Sequence, residues 1–350
     1  MRFYTVIKNN FIPLLFLLFA VFLLLFSSST FNAAKVGLSL WANSVIPSLF
    51  PFLVAVELLN HTNLVYYLSI LLDKYMRPFF NLPGISAFPF LMGLLSGYPV
   101  GAKIVGDMYA SGLCTKAEAE RMLCFTNNSG PLFIIGTVGI SFYSSSTIGI
   151  ILLITHILAS ISIGIISGFL SRTKALSYKS KFSKKIISSH NNGIKKVKDI
   201  SILDLGEILG TSIMNSIKTV LLIGGFVTLF SVISTILEKT KLISVLATTF
   251  SLCFHIDSSI VSAFITGIFE FTNGLSKLSL IHLKNISTNI VLSAFIIGFG
   301  GISVTLQVLS IISKQHLSIR KYVLGKVFQA VLAMIYTYLI IQIPFFNLDL

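Results

Sequence analysis

Gly93-Leu-Leu-Ser-Gly-Tyr-Pro-Val-Gly-Ala-Lys103 is the stretch on which the fold turns. It lies in strongly apolar sequence, yet it is not built like a membrane-crossing helix. Glycines at 93, 97 and 101 weaken a helix, and Pro99 removes a backbone donor. Tyr98 precedes the proline and is pushed toward an extended conformation. Backbone opened in this way cannot face lipid, where each unpaired N–H or C=O costs several kcal/mol, so it must be buried in protein or line a wet cavity. The reading that follows is the tip of a re-entrant hairpin at a solute site. The alternative is an ordinary packed helix with small residues at its contacts.

Composition carries that reading to the whole chain. Of 350 residues, 54% are hydrophobic and 11% charged, against about 25% charged in soluble domains, and mean hydropathy is +0.90. Net charge is +14, from 26 Lys and Arg against 12 Asp and Glu. Such an excess often marks nucleic-acid or anionic-lipid binding. Here the basic residues fall in a few loops, so topology within a lipid bilayer accounts for them and no nucleic acid is expected as a partner. Cys114, Cys124 and Cys253 form no CxxC pair and leave one odd, against a disulfide scaffold or zinc site. His156, in mid-helix, reads as a hydrogen-bonded packing residue. No HExxH, Ser/His/Asp, paired-Asp, GxGxxG or Walker pattern stands out. The expectation is a non-enzyme with no cofactor and no metal.

Working outward, Arg2 and Lys8 precede an apolar run from Phe11 to Phe26 and a serine tail. A signal peptide has this layout, with Asn32-Ala33-Ala34 as a passable cleavage site. A first transmembrane helix, residues 1–35, has it too and is preferred, because everything that follows is also membranous. A span is expected over about 36–59, kinked by Pro47 and Pro51, with Trp41 at an interface. Asp73, Lys74 and Arg77 sit on a helical period that suits a helix lying on the membrane surface. Pro83-Gly84 then breaks the chain, and the hairpin follows to about Gly112. Thr115-Lys-Ala-Glu118 reads as a capping box. The helix it opens meets Asn127-Asn-Ser-Gly-Pro131, the mark of a discontinuous membrane helix. A span over about 148–170 closes a first repeat, residues 36–170. A basic, serine-rich cytosolic linker, 171–205, follows.

Residues 206–350 read as a second repeat: a long span, a short interfacial segment over 242–254, a hairpin, a broken helix and a last span. Phe264, Gly267 and Lys277 align with Phe90, Gly93 and Lys103 at one offset. Phe133–Ser141 matches Phe295–Ser303 at seven of nine positions. Three crossings per half make the second repeat inverted and the total seven, with two hairpins. The fold class is therefore all-α, polytopic, with two re-entrant hairpins and two broken helices. With a cytosolic N-terminus, 21 basic residues fall inside, Lys103 and Lys326 among them, and five outside, the bias of the positive-inside rule.

In such folds, half-helix N-termini aim free N–H groups and partial positive charge at the solute. The segments around Gly97, Gly130, Asn273 and Gly300 would supply them. Side chains within reach are Ser96, Tyr98, Lys103, Asn127, Asn128 and Ser129 from the first half, and Glu270, Thr272, Asn273, Ser303, Thr305 and Gln307 from the second. These donors fit an anionic or strongly hydrogen-bonding solute. For Asn127 and Asn128 the competing role is an interhelical hydrogen bond. For Glu270 it is a structural pair against a proton path, and for Lys103 snorkelling to the surface.

The residues that carry these readings also carry a resemblance. Gly93–Lys103, Ala117-Glu-Ala-Glu-Arg121, Asn127-Asn-Ser-Gly-Pro-Leu-Phe-Ile-Ile-Gly-Thr-Val-Gly139, Gly267-Ile-Phe-Glu-Phe-Thr-Asn273 and Gly301-Ile-Ser-Val-Thr-Leu-Gln307 are together similar to the YlbJ family of sporulation integral membrane proteins, within the nucleoside-recognition, or Gate, domain proteins. The likeness covers nearly the whole chain from about Val36. The first two glycine-rich motifs are long and specific, the last is looser, and the central loop carries none of it. The resemblance implies a fold similar to concentrative nucleoside transporters and an endospore-forming Gram-positive host. It further implies a place in the outer forespore membrane and movement of dipicolinic acid from the mother cell toward the forespore. It assigns no role to single residues. Dipicolinate is a planar aromatic dicarboxylate, for which helix N-termini, asparagine amides and a lysine are suitable partners and Tyr98 would stack on the ring. The alternatives are a nucleoside or other polar metabolite, or a non-transporting partner in spore-envelope assembly. Coupling ion and oligomeric state, a homo-oligomer included, stay open.

The charge bias predicts that Lys184 faces the cytosol and Ser144 the outside. Single cysteines at those positions, in a cysteine-free background, are expected to show labelling by an impermeant thiol reagent at 144 and not at 184 in intact cells. The reverse pattern overturns the topology.

Overall fold

The computed structural model describes residues 2–175, 202–281 and 287–343, and among them there are helices and connections but no strand. Helix α1 (Arg2–Leu25) meets α2 (Ser27–Leu40) at a 99° bend on Phe26. Thr30 Oγ1 turns back onto the Phe26 and Ser27 carbonyls there, at 3.1 and 3.0 Å. The first element thus ends at residue 26 rather than 35. Asn32-Ala33-Ala34 lies inside α2, where Ala33 packs with Val232 and Ile236. A π-helical turn, Trp41–Val45, joins α2 to α3 (Ile46–Asn60). Its wider winding immediately precedes Pro47, whose ring would clash with the carbonyl four residues back in a regular helix. Trp41 packs into the space left by Gly224 and donates Nε1–H to the Val220 carbonyl at 3.0 Å.

Helix α4 (Leu64–Tyr75) and its π turn Met76–Phe80 lie bent by 92° from the first arm of the hairpin. Asp73 fixes that corner by accepting from Arg77 Nε at 2.6 Å and from the Gly84 N–H at 2.8 Å. The hairpin is α5 (Ala87–Ser96) and α6 (Val100–Ala110), joined through Gly97 at φ +83° and a cis Tyr98–Pro99 bond. Helix α7 (Lys116–Thr126) starts on the capping box: Thr115 Oγ1 accepts the Glu118 N–H, and Glu118 Oε2 accepts the Thr115 N–H. Residues 127–130 are non-helical, and the chain resumes as the π-helical segment Leu132–Phe142. Helix α8 (Ser146–Ala175) completes the first half.

The same order recurs. Helix α9 (Ile202–Lys239) is followed by the short α10 (Leu242–Phe254). A second hairpin, α11 (Ser258–Phe269) and α12 (Phe271–Ser279), turns on the extended Glu270. A second broken helix, α13 (Ser287–Phe299) and α14 (Gly301–Ile312), opens at Gly300 and Gly301, both with φ near +80°. Helix α15 (Ile319–Ile341) is last. The described structure contains four helices long and apolar enough to cross a membrane, or six if each bent pair counts as one. Two expected crossings are not among these: 36–59 is shared between α2, the π turn and α3, and Lys116–Phe142 is divided into two eleven-residue pieces, whereas the bent pair over 70–96 joins the expected surface helix to the hairpin. Outward faces carry large apolar side chains such as Phe16, Phe169, Leu221 and Phe328, as lipid requires. The basic linker lies outside the described residues from 176 to 201.

The two hairpins share their construction. An added Cβ on Gly93 would lie 3.2 Å from Gly101 across the first, and one on Gly274 2.1 Å from Gly267 across the second, so glycines let the arms approach closely in both. Each outgoing arm also carries a lysine paired to the long helix before its hairpin: Lys103 with Glu57 of α3, and Lys277 with Glu238 of α9. These are the lysines that align at the common offset. The seven-of-nine match fares differently. Phe133–Ser141 follows the first break, whereas Phe295–Ser303 straddles the second, so that identity joins non-equivalent positions.

The Lys103–Glu57 pair is the less exposed, with side chains 29% and 13% accessible against 42% and 37% for Lys277–Glu238. Lys103→Glu is therefore expected to lower unfolding stability in detergent by about 1–3 kcal/mol, and Lys277→Glu by at most about 0.5 kcal/mol. Adding Glu57→Lys to Lys103→Glu should restore most of the loss. A double reversal no better than the single shows that the pair carries no coupling.

Candidate functional site

All four interruptions meet. A Cβ on Gly97 would lie 2.9 Å from the Gly130 nitrogen, joining the first hairpin tip to the first break. A Cβ on Gly300 would lie 3.1 Å from the Tyr98 ring and hydroxyl, joining that tip to the second break. One on Gly301 would lie 3.2 Å from the Phe271 nitrogen, bringing in the second hairpin. Phe271 touches Tyr98 edge-on, with ring centroids 5.9 Å apart, and Phe133 at 5.1 Å. Glycine is needed at 97, 300 and 301 on two counts: each has positive φ, and each is in backbone-range contact with another segment.

Between these tips lies a cleft with about 40 Å³ of room for the centres of water molecules. Its polar wall comes from the interruptions: Gly97, Tyr98, Ser129, Gly130, Thr272 and Gln307. Its apolar wall comes from the scaffold, with Val45, Leu49, Ile223 and Val227. Ser96, Asn127, Asn128, Glu270 and Ser303 are buried just behind the tips. Ser96 Oγ, Asn127 Oδ1 and Ser303 Oγ have no hydrogen-bond partner among the described residues. Glu270 caps α12, accepting the Asn273 N–H at 2.7 Å. Three expected site residues are engaged elsewhere. Lys103 is paired with Glu57, not Glu270. Asn273 Nδ2 donates to Ser231 of α9 at 2.9 Å. Thr305 Oγ1 returns to the Gly301 carbonyl of its own helix at 3.0 Å.

The first break is held open by side chains from α8 and α15. His156 Nε2 accepts the Ser129 N–H at 3.2 Å, the packing role expected for this histidine. Asn128 donates to the Phe125 carbonyl and Ser160 and accepts from Gln329. Asn127 donates to Tyr322 at 3.1 Å. Lys326 Nζ donates to the Asn127 carbonyl at 3.0 Å and to Gln329 Oε1 at 2.9 Å, and lies 5.0 Å from the Tyr98 ring centroid. Placing Lys326 on the cytosolic surface is corrected by this: it is wholly buried, so the inside tally falls from 21 to 20. Tyr322, Lys326 and Gln329 stand at i, i+4 and i+7, one face of a helix. A polar stripe in an apolar span was the available signal, and reading the lysine as a flanking anchor hid it. Among the described residues no group of three or more His, Cys, Asp or Glu is arranged to hold a metal ion.

The profile of the Gate family, described as nucleoside recognition, matches residues 42–158, from the π turn before α3 into α8. The chain is also 32% identical over 327 residues to the sporulation integral membrane protein YlbJ of Bacillus subtilis (strain 168), covering 89% of this chain and 78% of that protein. The chain belongs to the YlbJ family. It is a multi-pass integral membrane protein, and its Gate segment contains the first hairpin and the first break. No solved structure matches it, so the expected likeness to concentrative nucleoside transporters has no counterpart there.

The closest approach in the site is the Thr126 carbonyl, wedged between Gly93 and Gly101. A Cβ at those positions would lie 1.8 and 2.1 Å from its oxygen. Gly93→Ala or Gly101→Ala is expected to cost about 3 kcal/mol or more, the upper end of overpacking, read as lost thermal stability and membrane abundance. Gly136→Ala meets nothing within 4 Å and should leave both unchanged. Equal behaviour of the three variants overturns the wedge.

Proposed function

We propose that this protein is a sporulation membrane transporter that moves dipicolinate out of the mother cell toward the forespore across the outer forespore membrane. One observation carries the transport part: four helix interruptions, from two similarly ordered halves, converge on a single cleft with one polar and one apolar wall. Interrupted helices at a shared centre are how transporters present backbone dipoles to a solute. In this reading the halves are inverted repeats, 36–170 and 206–350, and the hairpins are re-entrant from opposite sides.

The substrate part is supported by family membership and by chemistry. A planar aromatic acid has apolar faces and anionic edges. Its ring suits Val45, Leu49, Ile223, Val227 and the Phe271 ring, and its carboxylates suit Ser129, Thr272 and Gln307. The cleft offers only about 40 Å³ to water centres, so in this reading it is too narrow for the solute as described. Solute entry requires the tips to part from the apolar wall, which breaks contacts that are non-directional. Leaving an interior held 100 mV negative favours a dianion by about 4.6 kcal/mol, so export needs no coupled ion. A neutral nucleoside is the second reading, favoured by the nucleoside-recognition description of the matching family.

Radiolabelled flux into proteoliposomes decides among these. Saturable dipicolinate movement not competed by uridine is expected. Uridine movement without dipicolinate movement establishes the nucleoside reading. Absence of flux for both leaves a non-transporting role in spore-envelope assembly.

A further inference from the structure

We propose that Lys326 is the counter-charge for an anionic solute, and that the Tyr98 ring is the shutter between it and the cleft. This rests on the reading of the cleft as a solute site, and adds the residue that sets charge preference.

Lys326 has no accessible surface, and no ion pair among the described residues includes it. The other described lysines seen in ion pairs, Lys103, Lys277 and Lys321, all lie where their side chains are at least 29% exposed. Lys326 is the contrary case, a wholly buried amino group whose donors go to the neutral oxygens of Asn127 and Gln329. Two of its three donors are thereby used, and Tyr98 stands against it, ring centroid 5.0 Å from Nζ. A ring face stabilises an ammonium less than a carboxylate does. Burial without an opposite charge is costly within a membrane protein, and an incoming carboxylate removes that cost.

The ring that covers the ammonium also lines the cleft. One hydrogen bond tethers it, from Tyr98 Oη to the Ile297 carbonyl at 2.9 Å. Ile297 belongs to the helix that opens at Gly300, and an added Cβ at Gly300 would strike this same ring. The Tyr98 position is thus set jointly by the first hairpin and the second break. Movement between them swings the ring aside and presents Nζ to the cleft, behind whose tips the buried Asn127 Oδ1 and Ser96 Oγ lack partners. The ligand class that follows is a carboxylate on a flat ring: the acid takes the ammonium and the ring takes the place of Tyr98.

The test uses the full chain with Lys326→Gln, Lys326→Met, Lys326→Arg and Tyr98→Leu, each measured as equilibrium dipicolinate binding in detergent and as flux at matched protein level. Glutamine keeps a donor for the Asn127 carbonyl, so it isolates charge; methionine is the second neutral variant should glutamine not accumulate. Loss of dipicolinate affinity by at least about thirtyfold is expected for the neutral variants, as for one partner of a buried charge pair. Arginine should retain part of it, and uridine binding, where present, should be unmoved. Tyr98→Leu should tighten dipicolinate binding. Wild-type affinity in a folded Lys326→Gln or Lys326→Met overturns the counter-charge, and unchanged affinity in Tyr98→Leu overturns the shutter. Binding that depends on Lys326 without any flux supports this inference and rejects transport. A wild type that neither binds nor carries dipicolinate rejects both.

Discussion

A helix interrupted inside hydrocarbon leaves backbone groups with no water to turn to, and this chain interrupts four of its helices. The rest of the structure answers that constraint. The interruptions are stacked on one another, so that what each exposes is covered by the others or by side chains sent from intact helices. The Thr126 carbonyl, the last of α7, is enclosed by Gly93 and Gly101. The Ser129 N–H finds His156, the Asn127 carbonyl finds Lys326, the Asn273 N–H finds Glu270, and the Ile297 carbonyl finds Tyr98. Every one of these partners except Glu270 comes from a different element. The site is therefore a tertiary object, which no isolated hairpin would form.

The two breaks are covered differently. The first is held by a polar network: His156 and Ser160 from α8, and Tyr322, Lys326 and Gln329 from α15. The second depends on backbone conformation, with Gly300 and Gly301 in the left-handed region and Tyr98 as its side-chain contact with the first hairpin. Directional hydrogen bonds from five side chains restrict the arrangement of the first break, although Asn127 Oδ1 and His156 Nδ1 have no partner among the described residues. Glycines with positive φ permit close approach without fixing anything beyond it. The halves share an order of elements but not a way of stabilising their centres, and the weaker of the two fixations sits across the cleft from the stronger.

Much of this was legible because breaks have a local cause. Gly97-Tyr-Pro99, Asn127–Pro131, Glu270 and Gly300-Gly301 announce themselves by residue type, and the structure opens the helices there. The capping box at Thr115 is likewise local. What was not legible depends on partners distant in sequence. The 99° bend at Phe26 has no glycine or proline to mark it. Nothing in the neighbourhood of Trp41 reveals its contact with Gly224. Glu57 drew no attention, although it is the partner of Lys103. The seven-of-nine match between the halves shows the opposite failure, a strong local likeness that joins unlike positions because apolar sequence repeats easily.

The two lysines are the sharpest case, because the one with a candidate site role lies away from the breaks and the one counted only as a surface charge lies among them. Lys103 lies in a glycine-rich tip motif and was assigned to the site, yet it is half-buried beside Glu57. Lys326 follows Arg320 and Lys321 and was assigned with them to the cytosolic surface, yet it is in the core. Periodicity gives the face of a helix but not depth along it. Depth needs the start of the helix and its tilt. Helix α15 begins at Ile319, and seven residues at about 1.5 Å each carry Lys326 roughly 10 Å inward, beyond the reach of a side chain snorkelling back to the surface. Arg320 and Lys321, at the first turn, remain anchors. Running the basic residues of one helix end together as a single charged cluster discarded that distance. Restoring it places Lys326, wholly buried, at the meeting point of the breaks.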